Sequence, residues 1–166
     1  SDLPQFVKWL NDREVSRNLL LVVPLSMDME EAWFSDLDKR PPEERPLGIE
    51  IETDAGWQLI GNVGFHKLDW RVRQAEIGIF IGEKSLWSQG YGRKAMALMI
   101  RHGFDNLNLN RIWLQVYATN ARGIRAYEAI GFVHEGRLRQ AMVQDGQYID
   151  VLLMSVLRSE WQIPEF

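Results

Sequence analysis

The spacing of hydrophobic positions changes once along the chain, from a helical period to alternation. Apolar residues first keep an approximately helical spacing at Phe6, Val7, Leu10 and Val15. A second helical stretch begins near Ser26 and Met27 and continues to Leu37. Residues 39–46 are polar and interrupted by three prolines, which predicts a loop. The first quarter of the chain is therefore expected to be helical.

From residue 47 onward the pattern predicts strands. Residues 47–52 alternate, residues 54–56 form a turn signal, and residues 57–66 read as the returning strand of a hairpin. Further elements are predicted, in order, as a strand at 75–82, a helix at 91–104, a strand at 111–118, a helix at 120–130 and strands at 133–140 and 148–157. This order predicts an α+β fold, with an antiparallel meander, a parallel crossover in the middle of a mixed sheet, and helices on both faces.

Composition narrows the class of protein. The chain has 166 residues, 46% of them hydrophobic and 25% charged, which predicts a single globular domain over residues 1–166. It has no cysteine, so disulfides and zinc–thiolate sites are excluded, and no spacing of its three histidines suggests a metal site. No apolar run approaches the roughly 18 residues of a membrane span, and no signal segment opens the chain. A cytoplasmic protein without a membrane partner is expected.

Net charge bears on the choice of ligand. The formal net charge of −4 argues against a nucleic-acid binder, which usually carries a basic face. A cationic substrate such as an amine fits this charge better.

A glycine-containing run lies between a predicted strand and a predicted helix. Residues 87–95 read WSQGYGRKA. Two glycines at this spacing let the backbone turn and point amide N–H groups into one concavity, and the helix that follows adds its positive end, so the loop suits a pyrophosphate. It is neither a nucleoside-triphosphate P-loop nor the three-glycine dinucleotide fingerprint. A tight turn that binds no ligand is the alternative.

A second informative segment covers residues 120–132. Asn120 can cap the helix or reach a ligand amide, and Tyr127 follows about two turns later on the same face. Gly131 ends the helix. The alternative for Tyr127 is a core residue with a locally satisfied hydroxyl.

Together these two segments resemble the GNAT superfamily of N-acetyltransferases. Its acyl-CoA loop follows Gln/Arg-x-x-Gly-x-Gly/Ala, and its later helix reads Asn…Ala…Tyr…Gly-Phe. The resemblance runs over about residues 47–161. EGRLR at residues 135–139 and DGQYID at 145–150 are similar to the branch of ribosomal-protein alanine and spermidine N-acetyltransferases.

The chain departs from the family pattern in two places. Trp87 stands where the superfamily prefers Gln or Arg. The chain also begins at the first helix, where family members usually have an edge strand, so that strand is either missing or replaced by a different N-terminus.

The resemblance implies direct acetyl transfer from acetyl-CoA to a primary amine in a ternary complex. Tyr127 matches the acid that protonates the departing sulfur, and Asn120 matches a contact to the pantetheine arm. Backbone groups of Ile79, Phe80 and Ile81 match the strand that holds this arm. The pyrophosphate loop is expected at Ser88, Gln89, Gly90, Tyr91, Gly92 and Arg93.

The general base and the acceptor are less sharply defined. Glu76 matches a carboxylate that some family members use as the base; the alternative is a strand-face glutamate that faces solvent or an arginine. Further carboxylates that could recognise a cationic amine are Glu30, Glu31 and Asp150. A small polyamine and a protein N-terminus both fit as the acceptor, and the last strands could pair with a second copy in a homodimer.

Two other classes of function are compatible with the pattern. One is a catalytically silent GNAT domain that binds CoA as a sensor or scaffold, and the other is an interaction domain whose glycine turn is structural. The presence of both Asn120 and Tyr127 favours the enzyme.

Overall fold

The computed structural model describes residues 2–19 and 23–164, which build a mixed sheet of six strands in the order β1-β2-β3-β4-β6-β5. Neighbouring strands are antiparallel except β3 and β4, which run parallel. This agrees with the sheet expected from the sequence. The strands are β1 Leu47–Thr53, β2 Gly56–Asp69, β3 Gln74–Ile81, β4 Arg111–Tyr117, β5 Val133–Gln144 and β6 Gln147–Leu157. The helices are α1 Leu3–Leu10, α2 Arg13–Ser16, α3 Met27–Leu37, α4 Tyr91–Asp105 and α5 Ala121–Glu128.

The single helix expected from the spacing of residues 6–15 is interrupted in the structure. Asp12 has an extended backbone, and its Oδ1 accepts a hydrogen bond of 2.9 Å from the Glu14 amide at the start of α2. The side chain of Asn11 both donates to and accepts from the backbone of Leu25, at 2.8 Å in each case. Short amide and carboxylate side chains compete with the helical ladder in this way, so α1 ends before them.

The start of α3 follows the sequence-based expectation. Ser26 has an extended backbone, and its Oγ accepts a hydrogen bond of 3.2 Å from the Met29 amide. This hydrogen bond caps the first turn of α3.

Helices cover both faces of the sheet, as expected. On one face α4 contributes Met96, Ile100 and Phe104 to a core that also contains Phe65 and Ile112. On the opposite face α1 packs against Phe80 of β3 through edge-to-face ring contacts with Phe6 and Trp9, at centroid distances of 6.0 and 6.4 Å. Because side chains alternate along a strand, even-numbered residues of β3 face α1 and odd-numbered residues face α4.

The last hairpin is longer than the sequence indicated. β5 was expected to end at residue 140, but it continues to Gln144 after an irregularity between Leu138 and Met142. Gln140 sits in this irregularity with a φ of 51°, and its amide donates a hydrogen bond of 2.8 Å to Asp150 Oδ1. The side chain on the neighbouring strand thus satisfies the bulged backbone, and pairing resumes beyond it.

Candidate active site

The sheet opens between its two parallel strands. β3 and β4 are paired only from Gln74 to Glu76 and from Arg111 to Trp113. Beyond that point β4 keeps its pairing with β6, whereas residues 77–81 of β3 have no partner on this side. The result is an open cavity of about 920 Å³, lined on its two sides by residues 77–81 and 114–117. Backbone groups of β3 that would otherwise pair with β4 therefore face this space.

The glycine-containing run forms the loop that enters α4, at one end of the cavity. Ser88 and Gly90 have φ values of 63° and 89°, and Gly90 is the residue before the helix. No side chain caps this helix, so its first amide N–H groups are available to a ligand. The loop residues that line the cavity are Trp87, Ser88, Gly90, Tyr91, Gly92 and Arg93. Gln89 lies outside the lining, and its Nε2 donates to the Ser85 carbonyl at 2.8 Å.

Arg122 joins this loop to the start of α5. Its guanidinium carbon lies 3.8 Å from the centroid of the Trp87 ring, and Trp87 Nε1 donates a hydrogen bond of 2.8 Å to the Ile81 carbonyl. Trp87 is therefore fixed between the end of β3 and α5. Arg93, Arg122 and Arg125 all line the cavity, which gives this end a positive charge suited to phosphate groups.

The position of Asn120 is compatible with both roles considered for it, the helix cap and a contact to a ligand. Its Oδ1 accepts a hydrogen bond of 3.0 Å from the Gly123 amide and so caps α5, as expected. Gly123 permits this, because a Cβ there would stand 2.5 Å from Asn120 Nδ2. Asn120 also lines the cavity, and within the described part of the chain its Nδ2 group donates to no other residue. The amide N–H groups are thus available to a ligand.

Tyr127 reaches the cavity from α5, on the α4 side of the sheet. Its ring is half-buried against Phe132, at a centroid distance of 6.0 Å. Burial raises the pKa of Tyr127 to about 12, and the charge of Arg122 acts in the opposite direction. The hydroxyl is therefore protonated at neutral pH and can donate a proton into the cavity.

Glu76 reaches the cavity from the opposite side of the sheet. Its side chain is 15% exposed, and its Oε2 lies 2.7 Å from Lys67 Nζ. The alternative expected from the sequence, a pairing with a cation, is thus realised, although with a lysine and not an arginine. Lys67 also lies 5.3 Å from the centroid of the Trp113 ring. The other carboxylates considered, Glu30, Glu31 and Asp150, are not among the lining residues.

His66 is a cavity residue that the sequence did not single out. It is the cross-strand partner of Glu76, and a Cβ at Gly78 would stand 3.1 Å from its Nε2. An isolated histidine in a strand carries no signal of its own. The register of the β2–β3 hairpin places His66 beside Glu76. This register could not be read from the sequence, because it includes an irregularity between His66 and Asp69.

Two further findings on the described residues concern clusters of metal-ligand side chains and membrane-spanning helices. Within residues 2–19 and 23–164 no group of three or more His, Cys, Asp or Glu side chains is arranged to hold a metal ion. None of the helices described is long and apolar enough to cross a membrane.

Comparison with known proteins shows a consistent set of similarities. A family model described as the acetyltransferase (GNAT) domain matches residues 1–133. The chain is 34% identical to the uncharacterized N-acetyltransferase p20 of Bacillus licheniformis over 128 residues, which are 77% of this chain and 70% of p20. It is 32% identical to the putative ribosomal N-acetyltransferase YdaF of Bacillus subtilis over 115 residues, 69% of this chain and 62% of YdaF.

A solved structure extends this similarity to a ligand complex. Spermidine N-acetyltransferase from Vibrio cholerae, in complex with CoA and spermine, matches with a TM-score of 0.83 at 28% identity. The match covers 96% of this chain and 91% of that one.

Proposed function

The chain belongs to the GNAT family of acetyltransferases, and we propose that it transfers the acetyl group of acetyl-CoA to a primary amine within a ternary complex. The family match confirms the sequence-based predictions of the fold, the enzyme class and the acetyl-CoA co-substrate. Nothing in the comparisons supports a catalytically silent domain. The acceptor, the site residues and the mechanism below are our proposals.

One observation carries the proposal. A strand with unpaired backbone groups, an uncapped helix start and a protonated tyrosine border the same cavity. Each suits a different part of an acyl-CoA molecule: an amide-containing arm, a pyrophosphate and a departing thiolate. A glycine turn with a purely structural role would require neither the unpaired strand nor the tyrosine beside the cavity.

We assign the co-substrate to the α4 side of the opening. Acetyl-CoA supplies the thioester whose acetyl group is transferred. The backbone of Ile79, Phe80 and Ile81 is proposed to bind its arm and polarise the thioester carbonyl, and Asn120 Nδ2 to donate to the same arm. Gly90 to Arg93 bind the phosphates with Ser88, whereas Gln89 supports the loop through its bond to Ser85. Tyr127 protonates the sulfur as the C–S bond breaks.

The acceptor is proposed to enter from the α1 side, where Glu76 lies. The oxygen of Glu76 that Lys67 does not contact is proposed to accept a hydrogen bond from the incoming amine. The neighbouring structure contains spermine, so a polyamine is one candidate acceptor, and the ribosomal N-acetyltransferase relative makes a protein N-terminus the other.

Two sequence-based expectations stay predictions. They are the cytoplasmic location and the homodimer, for which β5, an exposed strand at the edge of the sheet, offers a pairing surface.

The experiment is release of free CoA thiol with acetyl-CoA and a panel of amines. The panel comprises spermidine, spermine, free amino acids, aminoglycosides and peptides with free N-termini, with calorimetric binding of CoA measured in parallel. Release with one class of amine identifies the acceptor. Binding of CoA without release from any amine would favour a sensor, and the absence of binding would contradict the proposal.

A further inference from the structure

His66 lies where the sheet begins to open, on the face opposite Tyr127. It faces Glu76, and Glu76 is the last residue of β3 that pairs with β4. The Cδ2–Nε2 edge of the imidazole lies over Gly78, with Nε2 at 3.1 Å from the position that a Cβ would take. Since Gly78 has no side chain, the ring reaches the first unpaired segment of β3. His66 and Tyr127 thus approach the opening from its two sides.

The charged groups around His66 come from three segments. Glu76 lies on β3, Lys67 is the next residue of β2, and Arg40 and Glu44 lie between α3 and β1. Partial desolvation by these elements is the largest effect and lowers the pKa of His66, although part of its side chain stays exposed to solvent. Glu76 and Glu44 raise this pKa, whereas Arg40 and Lys67 lower it further. The net result is an imidazole that is neutral at pH 7 and has a lone pair to offer.

Glu76 differs from His66 in that one of its oxygens already has a partner. Its Oε2 is already contacted by Lys67 Nζ at 2.7 Å. No hydrogen bond joins either ring nitrogen of His66 to another residue in the described part of the chain. Both groups line the cavity, but one oxygen of Glu76 is held by Lys67, whereas the imidazole of His66 has no hydrogen-bond partner among the described residues.

We propose that His66 accepts the proton that the amine loses as it attacks the thioester, a role that rests on the acetyl transfer proposed above. The amine first loses its ammonium proton to solvent, its nitrogen then forms a bond to the carbonyl carbon, and one of its two remaining protons passes to the imidazole. The C–S bond then breaks, and the sulfur takes the electron pair together with a proton from Tyr127. Exchange with solvent restores neutral His66 and protonated Tyr127. In this scheme Glu76 acts through the electrostatic environment of His66.

The test is the pH dependence of kcat/KM for His66→Gln, with His102→Gln as the matched control on the exposed surface of α4. General-base catalysis contributes about 10²- to 10⁴-fold, so H66Q is expected to lose at least about 100-fold in kcat/KM together with the ascending limb of the profile. Its CoA affinity and thermal midpoint should match those of the parent. His66→Ala should recover activity as imidazole is added.

Variants of the neighbouring pair give a second readout. Glu76→Gln removes a charge that raises the pKa of His66, so the ascending limb should move to lower pH. Lys67→Met removes a charge that lowers this pKa, so the limb should move to higher pH.

Three outcomes would overturn the inference. An ascending limb that persists in H66Q but vanishes in E76Q assigns the proton to Glu76. Loss of activity in H66Q without a change of the limb, and without imidazole rescue in H66A, assigns a structural role. A parent protein that binds CoA but acetylates no amine removes the proposed function as well, which separates that failure from the first two.

Discussion

The Arg122 guanidinium carbon stacks over the Trp87 ring at 3.8 Å and so connects the start of α5 to the loop that precedes α4. The two residues come from the two segments that identified the family, and they border the same cavity. The stack adds a positive charge beside the proposed phosphate site and holds the loop against the end of β3. It therefore links loop geometry to co-substrate affinity.

Replacing Arg122 by Gln should weaken CoA binding. The change removes a positive charge beside the proposed phosphate site, and because an exposed charge pair contributes about 0.2–1 kcal/mol, affinity is expected to fall by up to roughly 5-fold. Calorimetric titration with CoA measures this loss. Arg101→Gln is the matched control, because Arg101 is an exposed arginine on α4 outside the cavity lining. Equal affinities of the two variants would remove Arg122 from co-substrate binding.

Replacing Tyr127 by Phe should lower kcat by about 10²- to 10³-fold, because the departing sulfur loses its proton donor. CoA affinity should change little. With a pKa of about 12, the parent Tyr127 stays protonated through pH 10, so no descending limb from its deprotonation is expected below that pH. Tyr148→Phe is the control, since Tyr148 is 70% exposed. Similar kcat values for the two variants would contradict the role of Tyr127.

Valine at position 90 should affect both stability and binding. Gly90 has a φ of 89°, a conformation that costs a β-branched residue about 1–2 kcal/mol. Gly56→Val is the matched control at the tip of the β1–β2 hairpin, because Gly56 has a φ of 109° and no atom lies within 4 Å of the position that a Cβ would take there. Both variants should unfold at lower denaturant concentration, and only G90V should lose CoA affinity. Unchanged affinity in G90V would place the phosphates elsewhere.

Two substitutions of Asn120 separate its cap from its proposed ligand contact. Asn120→Asp keeps the oxygen that accepts from Gly123, whereas Asn120→Ala removes it. N120A should lose about 0.5–2 kcal/mol of unfolding free energy, and N120D should lose much less. Both should bind CoA more weakly, since both lack the Nδ2 donor. Normal CoA binding by N120D would leave Asn120 with the cap alone.

Local patterns were sufficient to predict most elements and the position of the glycine-containing loop before α4. The alternation before the hairpin turn, the serine before α3 and the Gly90–Gly92 spacing each act within a few residues of the chain. Asn11 was different, because its side chain ends α1 by pairing with the backbone of Leu25, fourteen residues away. Contacts of this kind leave no periodic trace in the sequence.

Contacts between residues that are distant in the sequence also explain why the sequence analysis missed some residues of the candidate site. His66 and Glu76 meet through hairpin register, and Arg122 and Trp87 meet through the packing of α5 against a loop thirty-five residues earlier. β5 ran past its predicted end because Asp150, on the partner strand, satisfies the backbone at Gln140. In each case the deciding contact joins elements that only the fold brings together.

The opening between β3 and β4 also affects the stability of the protein in the absence of catalysis. Residues 77–81 leave one side of a central strand exposed to water, so the sheet is interrupted at its middle and not at its margin. A bound molecule that pairs with this strand would act as a temporary seventh strand and would stabilise the folded state by an amount that rises with the logarithm of its concentration. The supply of acyl donor would then govern how long the enzyme persists as well as how fast it works.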